Sequence, residues 1–300
     1  MEKQVKCMDY NYYERQKLIE SLCTKFPFIK RASIGKSCSG KEITALKIGS
    51  SSQYCLITAA FHGSERITST ILLMFIEELC NAISKNTYMC GLKMPTALSG
   101  RGVIFVPCVN PDGCDIALLG KKACGALAEN HSRLCKHDFE HWNANFRGVD
   151  INHNFNADWE KLRELERNNG IYGPSPRQFG GFSPESEPET QALTKLCRTA
   201  NIRQVIALHT QGEVIYWSYG EKTPKRSLKM AEIMSTASGY ALDIPTGLAN
   251  GGGFKDWFIN EFSKPGFTIE MGIGKNPLPY TDAEKIYIKA REMLTLCTIM

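Results

Sequence analysis

The sequence lacks the features that mark several large classes of protein. It contains no run of 18 apolar residues, so we expect no membrane-spanning helix. It has no internal repeat and no low-complexity linker, which points to one domain over residues 1–300. The net charge is only +5 and the basic residues are dispersed, whereas nucleic-acid-binding domains carry a concentrated basic surface. We therefore expect neither a membrane nor a nucleic acid as a partner.

Cysteine pairs of the form C-x-x-C are also absent, which argues against a zinc ribbon. The twelve cysteines are scattered, and Cys55, Cys80 and Cys108 fall inside apolar runs, where a free thiol packs as a small hydrophobe. This usage is typical of a reducing compartment, although an even count also permits disulfides. The N-terminal segment has no apolar core of a secretory leader. We expect a cytoplasmic protein; a secreted form whose leader had been removed would look the same.

Alternating strand and helix patterns predict an α/β fold with a mixed or mainly parallel sheet. A capping-box pattern, Ser186 with Glu189, marks the start of one predicted helix. Residues 114–150 are polar and irregular, and we expect them to form a long excursion. The predicted strands cover 29–37, 42–49, 54–60, 102–109, 203–209, 213–219 and 266–272. The predicted helices cover 12–26, 67–83, 186–201, 225–240, 254–262 and 281–297.

Polar side chains follow or end several of these predicted strands. They are His62, Asn110, Asp112, His209 and Glu270. In open α/β sheets the ligand site lies beyond the carboxyl ends of the strands. We therefore expect these residues to share one edge of the sheet.

Three of the polar residues near that edge form a possible metal-binding set. His62 and Glu65 are three apart on a turn that enters a helix, and His209 comes from another strand. Two histidines and a glutamate are a known catalytic zinc set that leaves a position for water. Glu270, on a further strand, can serve as the base for that water. Each residue alone is weak evidence, since H-x-x-E strings are common and His209 could be a core histidine; their conjunction favours a zinc hydrolase.

Six motifs, in chain order, resemble those of the zinc carboxypeptidases, the M14 metallopeptidases. They are "HGSE", "NPDG", "GVDINHNF", "LHTQGEVIYW", "GGGFKDWF" and "PGFTIEMG". The later motifs are most similar to those of bacterial γ-D-glutamyl-L-diamino acid endopeptidases, which cut cell-wall peptides between D-glutamate and a diamino acid, usually meso-diaminopimelate. The resemblance implies an α/β/α sandwich and a peptide substrate, in this case a muropeptide.

The resemblance also implies roles for individual residues. It makes His62, Glu65 and His209 the ligands of one zinc ion and Glu270 the general base and acid. Asp150 would accept a hydrogen bond from the far nitrogen of a ligand histidine.

Two further implied roles concern the substrate. Arg147 would stabilise the oxyanion, and Asn152 would contact a substrate carboxylate. The alternative for Arg147 is an exposed position in a loop with no functional role. The alternative for Asp150 is that its side chain caps a turn.

Two departures from the family pattern bear on the substrate. His153 stands where digestive carboxypeptidases carry an arginine that binds the terminal carboxylate, which favours endopeptidase or relaxed activity. Leu248 stands where the family has a substrate-capping tyrosine. In relatives the "GGGFKDW" segment lines the pocket after the cut bond, so Lys255 or Asp256 could read the distal charges of a diamino acid; a solvent-facing lysine and a helix-start aspartate are the alternative.

Other functions remain open from the sequence. The same scaffold could carry a zinc carboxypeptidase or a deacylase of N-acyl amino acids, and a non-catalytic muropeptide-binding protein is a third possibility. The histidines of "HSRLCKHDFEHW" fit no standard metal-ligand spacing and are expected to lie on a surface loop. No pattern addresses the oligomeric state.

Overall fold

A computed structural model of the chain describes residues 4–300. The described residues form ten α-helices and ten β-strands. The helices are α1 Tyr12–Lys25, α2 Ile67–Ser84, α3 Met94–Ala97, α4 Pro111–Leu119, α5 Ala128–Leu134, α6 Trp159–Asn168, α7 Pro188–Thr199, α8 Arg226–Ser238, α9 Phe254–Phe262 and α10 Ala283–Ile299. The strands are β1 Lys30–Lys36, β2 Glu42–Gly49, β3 Tyr54–Ala59, β4 Tyr88–Met89, β5 Leu92–Lys93, β6 Gly102–Val106, β7 Ile202–His209, β8 Val214–Tyr216, β9 Ala241–Asp243 and β10 Gly266–Glu270.

Eight strands form one mixed sheet in the order β1-β2-β6-β3-β7-β10-β8-β9. The four central strands β6, β3, β7 and β10 run parallel to one another, and antiparallel pairs flank them at β2 and β8. Parallel neighbours place their carboxyl ends at the same edge. The mixed, mostly parallel sheet predicted from the sequence is confirmed.

Helices cover both faces of this sheet, which explains why its central strands are apolar throughout. Alternate residues of β3 enter different cores: Cys55 and Ile57 join one, and Leu56 joins the other. Helices α2, α8 and α10 supply the first core, and α7 and α9 supply the second. The chain is therefore an α/β/α sandwich, with the edge strand β1 left largely exposed and rich in lysine and arginine.

One helical segment is apolar enough for a membrane span when judged by length and composition alone. It is Gly63–Ser84, with a mean hydropathy of 1.4. Most of this segment is buried within the protein, because α2 packs between the sheet and α10. The pattern is that of a central core helix.

Several predicted elements differ in their bounds. The strand predicted over 102–109 ends at Val106, because Pro107 cannot donate to the sheet ladder. The strand predicted over 213–219 is shorter than expected, since β8 covers only Val214–Tyr216. The excursion predicted over 114–150 contains the last part of α4 and all of α5. The prediction also omitted α3, α6, β4, β5 and β9.

The capping box predicted at Ser186 is wrong. Helix α7 begins at Pro188, its N-cap is Glu187, and no side chain caps it. Proline favours the first helical position, which moves the start of the helix past Ser186. The Glu189 carboxylate instead accepts hydrogen bonds from the Cys38 backbone (2.9 Å) and the Asn145 amide (3.1 Å). Burial raises the pKa of Glu189 to about 7.

Asn110 connects the loops that follow neighbouring strands. It is fully buried at the start of α4, and its Oδ1 accepts from the Gly113 backbone at 2.8 Å. Its Nδ2 lies 2.9 Å from the carbonyl of Phe61 and 3.1–3.2 Å from those of Asn143 and Ala144. The residue therefore fixes the turn after β3 to the segment 143–144 and has no free atom for a ligand.

We predict that Asn110→Ala lowers the free energy of unfolding by about 3 kcal/mol, because it removes an N-cap and leaves the buried Phe61 carbonyl without its donor. Urea unfolding of this variant and of Asn168→Ala, which alters an exposed asparagine, provides the measurement. Equal stability of the two variants would show that the Asn110 contacts contribute nothing.

The raised pKa of Glu189 predicts a pH-dependent stability. A carboxyl group with a folded-state pKa of about 7 stabilises the fold when protonated, and it loses that contribution as the pH rises from about 4.5 to about 7. Glu189→Gln, which mimics the protonated acid, should gain about 3 kcal/mol relative to the wild type between pH 4.5 and pH 8. Urea unfolding at both pH values, with Glu164→Gln as the exposed control, tests this; a pH-independent difference would refute it.

Candidate active site

Three of the predicted site residues lie at the carboxyl edge of the central sheet. His62 follows β3, His209 ends β7 and Glu270 ends β10. Thr68 holds the turn after β3, since its Oγ1 donates to the Glu65 carbonyl (2.8 Å) and accepts from a backbone N–H. The turn is tight at Gly63, where a Cβ would lie 2.2 Å from a backbone oxygen.

The Glu65 carboxylate lies between the two histidines. His62 Nδ1 is 2.8 Å from Glu65 Oε1, and His209 Nδ1 is 3.0 Å from Oε2. The three ligand atoms lie within 4.8 Å of one another. The Thr210 backbone N–H (3.2 Å) and the Asn276 amide (3.3 Å) also donate to this carboxylate. These residues can hold one metal ion.

The side-chain chemistry fits a zinc ion. Two imidazole nitrogens and a carboxylate oxygen, all facing one point, are the donors that catalytic zinc sites use. The far nitrogen of His62 donates to Asp150 Oδ1 at 3.0 Å, which orients the ring. His209 Nε2 is buried with no partner among residues 4–300, so the ring is not a core histidine whose two nitrogens are both satisfied.

Burial and charge shift the pKa values of these groups. Burial opposes ionisation of Glu65, but the neighbouring histidines outweigh it and lower its pKa to about 2. Burial also disfavours a charged His62, yet Glu65 and Asp150 raise its pKa well above the usual value. Although Asp150 is buried, His62 holds its pKa well below the usual range. Burial, assisted by the Glu65 carboxylate, raises the pKa of Glu270 well above that of an ordinary carboxyl group. The site thus combines ionised ligands with one carboxylate of high proton affinity.

A cleft of about 570 Å³ opens above this group of residues. The metal-site histidines and Glu270 lie at its wall together with residues from α9 and the preceding glycine-rich loop. Its lining consists of His62, Asn152, His153, His209, Tyr216, Pro245, Leu248, Ala249, Gly251, Gly253, Lys255, Asp256, Thr268 and Glu270.

Arg147 is not among the residues that line the cleft. Its side chain is 56% exposed, and a guanidinium nitrogen lies 3.7 Å from Glu187 Oε2. Glu187 belongs to a second group with Cys38 and Glu189 whose ligand atoms also lie within 4.8 Å of one another. Asn145 Nδ2 lies within hydrogen-bond distance of all three side chains. The role of Arg147 at the oxyanion stays a prediction.

Asn152 and His153 line the cleft from a 3-10 turn, Ile151–His153. Asn152 Oδ1 accepts from the Phe254 backbone at 3.0 Å. His153 Nδ1 lies 2.8 Å from Glu166 Oε1, and burial lowers the pKa of His153. The lowered pKa favours the neutral form of His153 at neutral pH.

Lys255 lies at the cleft wall but is not a free cation. It is only 3% exposed, its ammonium donates to the Ser218 carbonyl at 2.8 Å, and it forms an ion pair with Asp256. Asp256 Oδ2 accepts from the Gly251 backbone at 2.9 Å. One ammonium hydrogen remains for a ligand. Leu248, at the position of the family tyrosine, lines the same cleft with no polar group to offer.

Sequence reasoning missed two residues of this site. Tyr216 lines the cleft from β8, and alternation along the strand places it on that face. Asn276 reaches Glu65 and also exchanges hydrogen bonds with Thr210, at 2.7 and 2.8 Å. No periodic pattern marks Asn276, because it lies in the loop after β10.

The histidine-rich segment 131–142 does not converge on a metal site. His131 bonds a backbone carbonyl, and His141 pairs with Asp138.

Comparison with known proteins agrees with this geometry. The family model described as zinc carboxypeptidase matches residues 16–296. Gamma-D-glutamyl-L-diamino acid endopeptidase 1 of Lysinibacillus sphaericus is 38% identical over 288 residues, which cover 94% of this chain and 70% of that protein.

Solved structures show the same fold. The chain is similar to bovine thrombin-activatable fibrinolysis inhibitor in complex with tick carboxypeptidase inhibitor, with a TM-score of 0.76 at 21% identity over 97% of both chains. It is also similar to the murein-tripeptide amidase MpaA of Escherichia coli O157, with a TM-score of 0.57 at 23% identity over 89% of this chain and 91% of that one. The chain therefore belongs to the zinc carboxypeptidase family and is a zinc-dependent hydrolase.

Proposed function

We propose that the protein hydrolyses cell-wall peptides at the bond between γ-D-glutamate and a diamino acid. The observation that carries this proposal is the convergence of His62, Glu65 and His209 beside Glu270 in one cleft. The similarity to an endopeptidase named for that bond supports the substrate. A further proposal is that the chain acts as one catalytic unit, since the site combines residues from 62 to 270.

In the proposed reaction, Glu270 moves the protons. A zinc ion bound by His62, Glu65 and His209 would acidify a water molecule and polarise the scissile carbonyl. Glu270 takes a proton from the attacking water and passes it to the leaving amine. Its high proton affinity suits it to hold that proton between the two steps. Asp150 keeps the His62 ring in place throughout, because it accepts from the far nitrogen.

Other residues would bind the substrate. Asn152 Nδ2 has no partner among residues 4–300 and can donate to a group beside the cut bond. Lys255 can offer its remaining ammonium hydrogen to a carboxylate of the diamino acid. Arg147 would have to leave Glu187 and turn toward the cleft to stabilise an oxyanion. These three roles are part of the proposal.

The incubation of the protein with L-Ala-γ-D-Glu-meso-diaminopimelate, followed by mass analysis of the products, tests the substrate. Release of free diaminopimelate and L-Ala-D-Glu supports the proposal. A zinc carboxypeptidase would instead trim C-terminal residues of ordinary peptides, a deacylase would hydrolyse N-acyl amino acids, and a binding protein would retain the peptide uncut. Any of these three results would replace the proposed reaction.

The cytoplasm is the proposed location. All twelve cysteines are free in the structure, and eight of them are buried. Detection of the protein by fractionation of cells, with a cytosolic enzyme as marker, would test this location.

We predict that His62→Ala and His209→Ala each lose bound zinc and all measurable turnover, because each removes one of three ligands. Zinc content per chain, measured by mass spectrometry of the metal, gives the readout. His141→Ala, which alters an exposed histidine outside the cleft, is the control and should keep its zinc. Full zinc retention in both ligand variants would refute the assignment.

For Glu270→Gln we predict retained zinc with turnover lowered by at least ~100-fold, the usual size of a general-base contribution. The amide keeps the shape of the side chain but cannot accept the proton from water. Steady-state rates on the tripeptide, compared with those of the exposed control Glu221→Gln, give the measurement. Turnover near that of the wild type would remove Glu270 from the mechanism.

A further inference from the structure

The turn that carries Asn152 and His153 presents two different hydrogen-bonding groups to the cleft. For Asn152 the orientation of the amide follows from one contact. The Phe254 backbone N–H can only donate, so the side-chain atom 3.0 Å from it is the oxygen Oδ1. The remaining atom, Nδ2, has no partner among residues 4–300 and is not buried, so Asn152 offers a donor.

His153 offers the opposite group, because Glu166 determines its tautomer. Glu166 is fully buried, and its carboxylate forms an ion pair with Arg163 and accepts from the Gly180 backbone N–H at 3.0 Å. An ionised carboxylate only accepts, so the proton of His153 must lie on Nδ1, 2.8 Å from Glu166 Oε1. In the neutral ring Nε2 is then an acceptor, and no described residue donates to it.

The surroundings keep the ring neutral. Burial is the largest effect on the pKa of His153 and lowers it. Asp150 acts in the opposite direction, while His62 and Arg163 add to the lowering. Arg163 also neutralises the charge of Glu166, so that carboxylate does not require a cationic histidine.

We propose that Asn152 and His153 together recognise a carboxamide or a peptide bond next to the cut bond, and not a free carboxylate. A carboxamide has one carbonyl that accepts from Asn152 Nδ2 and one N–H that donates to His153 Nε2. A carboxylate has no hydrogen to donate, and its second oxygen would face the lone pair of His153. This inference rests on the proposed function, and it specifies that the carboxyl group of the diamino acid nearest the cut is amidated or continues into a further residue.

Three peptides distinguish the possible forms of this group. They are L-Ala-γ-D-Glu-meso-diaminopimelate with the adjacent carboxyl free, the same peptide with that carboxyl as a primary amide, and the peptide extended there by D-alanine. For the wild type, kcat/KM on the free acid should be at least about tenfold lower than on the amide, on the extended peptide or on both. This is the difference expected for one hydrogen bond to a charged or polar group. The two non-acid peptides show whether the natural group is an amide or a continuing chain.

Two variants test the role of His153 itself. His153→Arg places a fixed cation there and should reverse the preference toward the free acid. His153→Leu removes the acceptor and should cut the acid and amide forms at rates within a few-fold of each other. Zinc content and thermal unfolding show whether each variant is folded. If a variant is unfolded, nitrogen NMR of wild-type His153 at pH 7 tests the tautomer directly. We expect Nδ1 to be protonated and Nε2 to be unprotonated.

The outcomes separate this inference from the proposed function. Equal rates of the wild type on acid, amide and extended peptide, or a protonated Nε2, would overturn the recognition of an N–H while leaving the hydrolase intact. Retention of the preference by a folded His153→Leu would also overturn it. A wild type that cuts none of the three peptides would overturn the proposed function and this inference with it.

Discussion

The buried carboxylate of Glu65 is the interaction on which the rest of the cleft depends. It lies within 3.0 Å of an imidazole nitrogen on each side and is only 5% exposed. A charge so deeply buried is stable only with close partners, and the two histidines provide them. In the absence of these partners the turn after β3 would hold an uncompensated charge in the core. The same contacts bring three ligand atoms to one point, so the requirement for charge compensation and the requirement for metal binding are met by one arrangement.

The sheet determines how the partners of Glu65 reach it. His62 and His209 come from adjacent parallel strands, and Glu270 comes from the next strand, in register with His209. Since parallel strands end at one edge, three residues far apart in sequence lie side by side without any long loop. Asn110 reinforces that edge from within the fold, because its side chain ties the turn after β3 to the segment 143–144. The strand ends and the turn after β3 thus carry the metal site and the base, whereas the groups proposed to select a substrate lie in a 3-10 turn and at the start of α9.

This division explains how much the sequence could predict. His62, His209 and Glu270 were predictable because each ends or follows an apolar strand, and strand ends at a common edge require no tertiary detail. The state of His153 was not predictable, since it depends on Glu166, thirteen residues later on the unpredicted helix α6. The same holds for Lys255, whose ion pair with Asp256 and bond to Ser218 are contacts of the folded chain. Ser186 failed as an N-cap because the local pattern did not take account of Pro188.

Asp112 shows a similar limit at the edge of the sheet. It follows β6, as the pattern required, but its carboxylate accepts from the Ser39 backbone at 2.9 Å and pairs with Lys41 at 3.2 Å. It therefore secures the hairpin of β1 and β2 and does not line the cleft. A polar residue at the correct edge can serve the fold or the site, and only its partners decide between the two.

The proposed reaction requires that one zinc ion in this cleft supports hydrolysis of the γ-D-glutamyl–diamino acid bond. The most direct measurement removes metal with a chelator and then titrates zinc into the chain while the release of free diamino acid is followed. Turnover should rise linearly and stop rising at one equivalent of zinc per chain. Release of the diamino acid at the full rate from the metal-free chain, or a rise that continues to two equivalents, would contradict it.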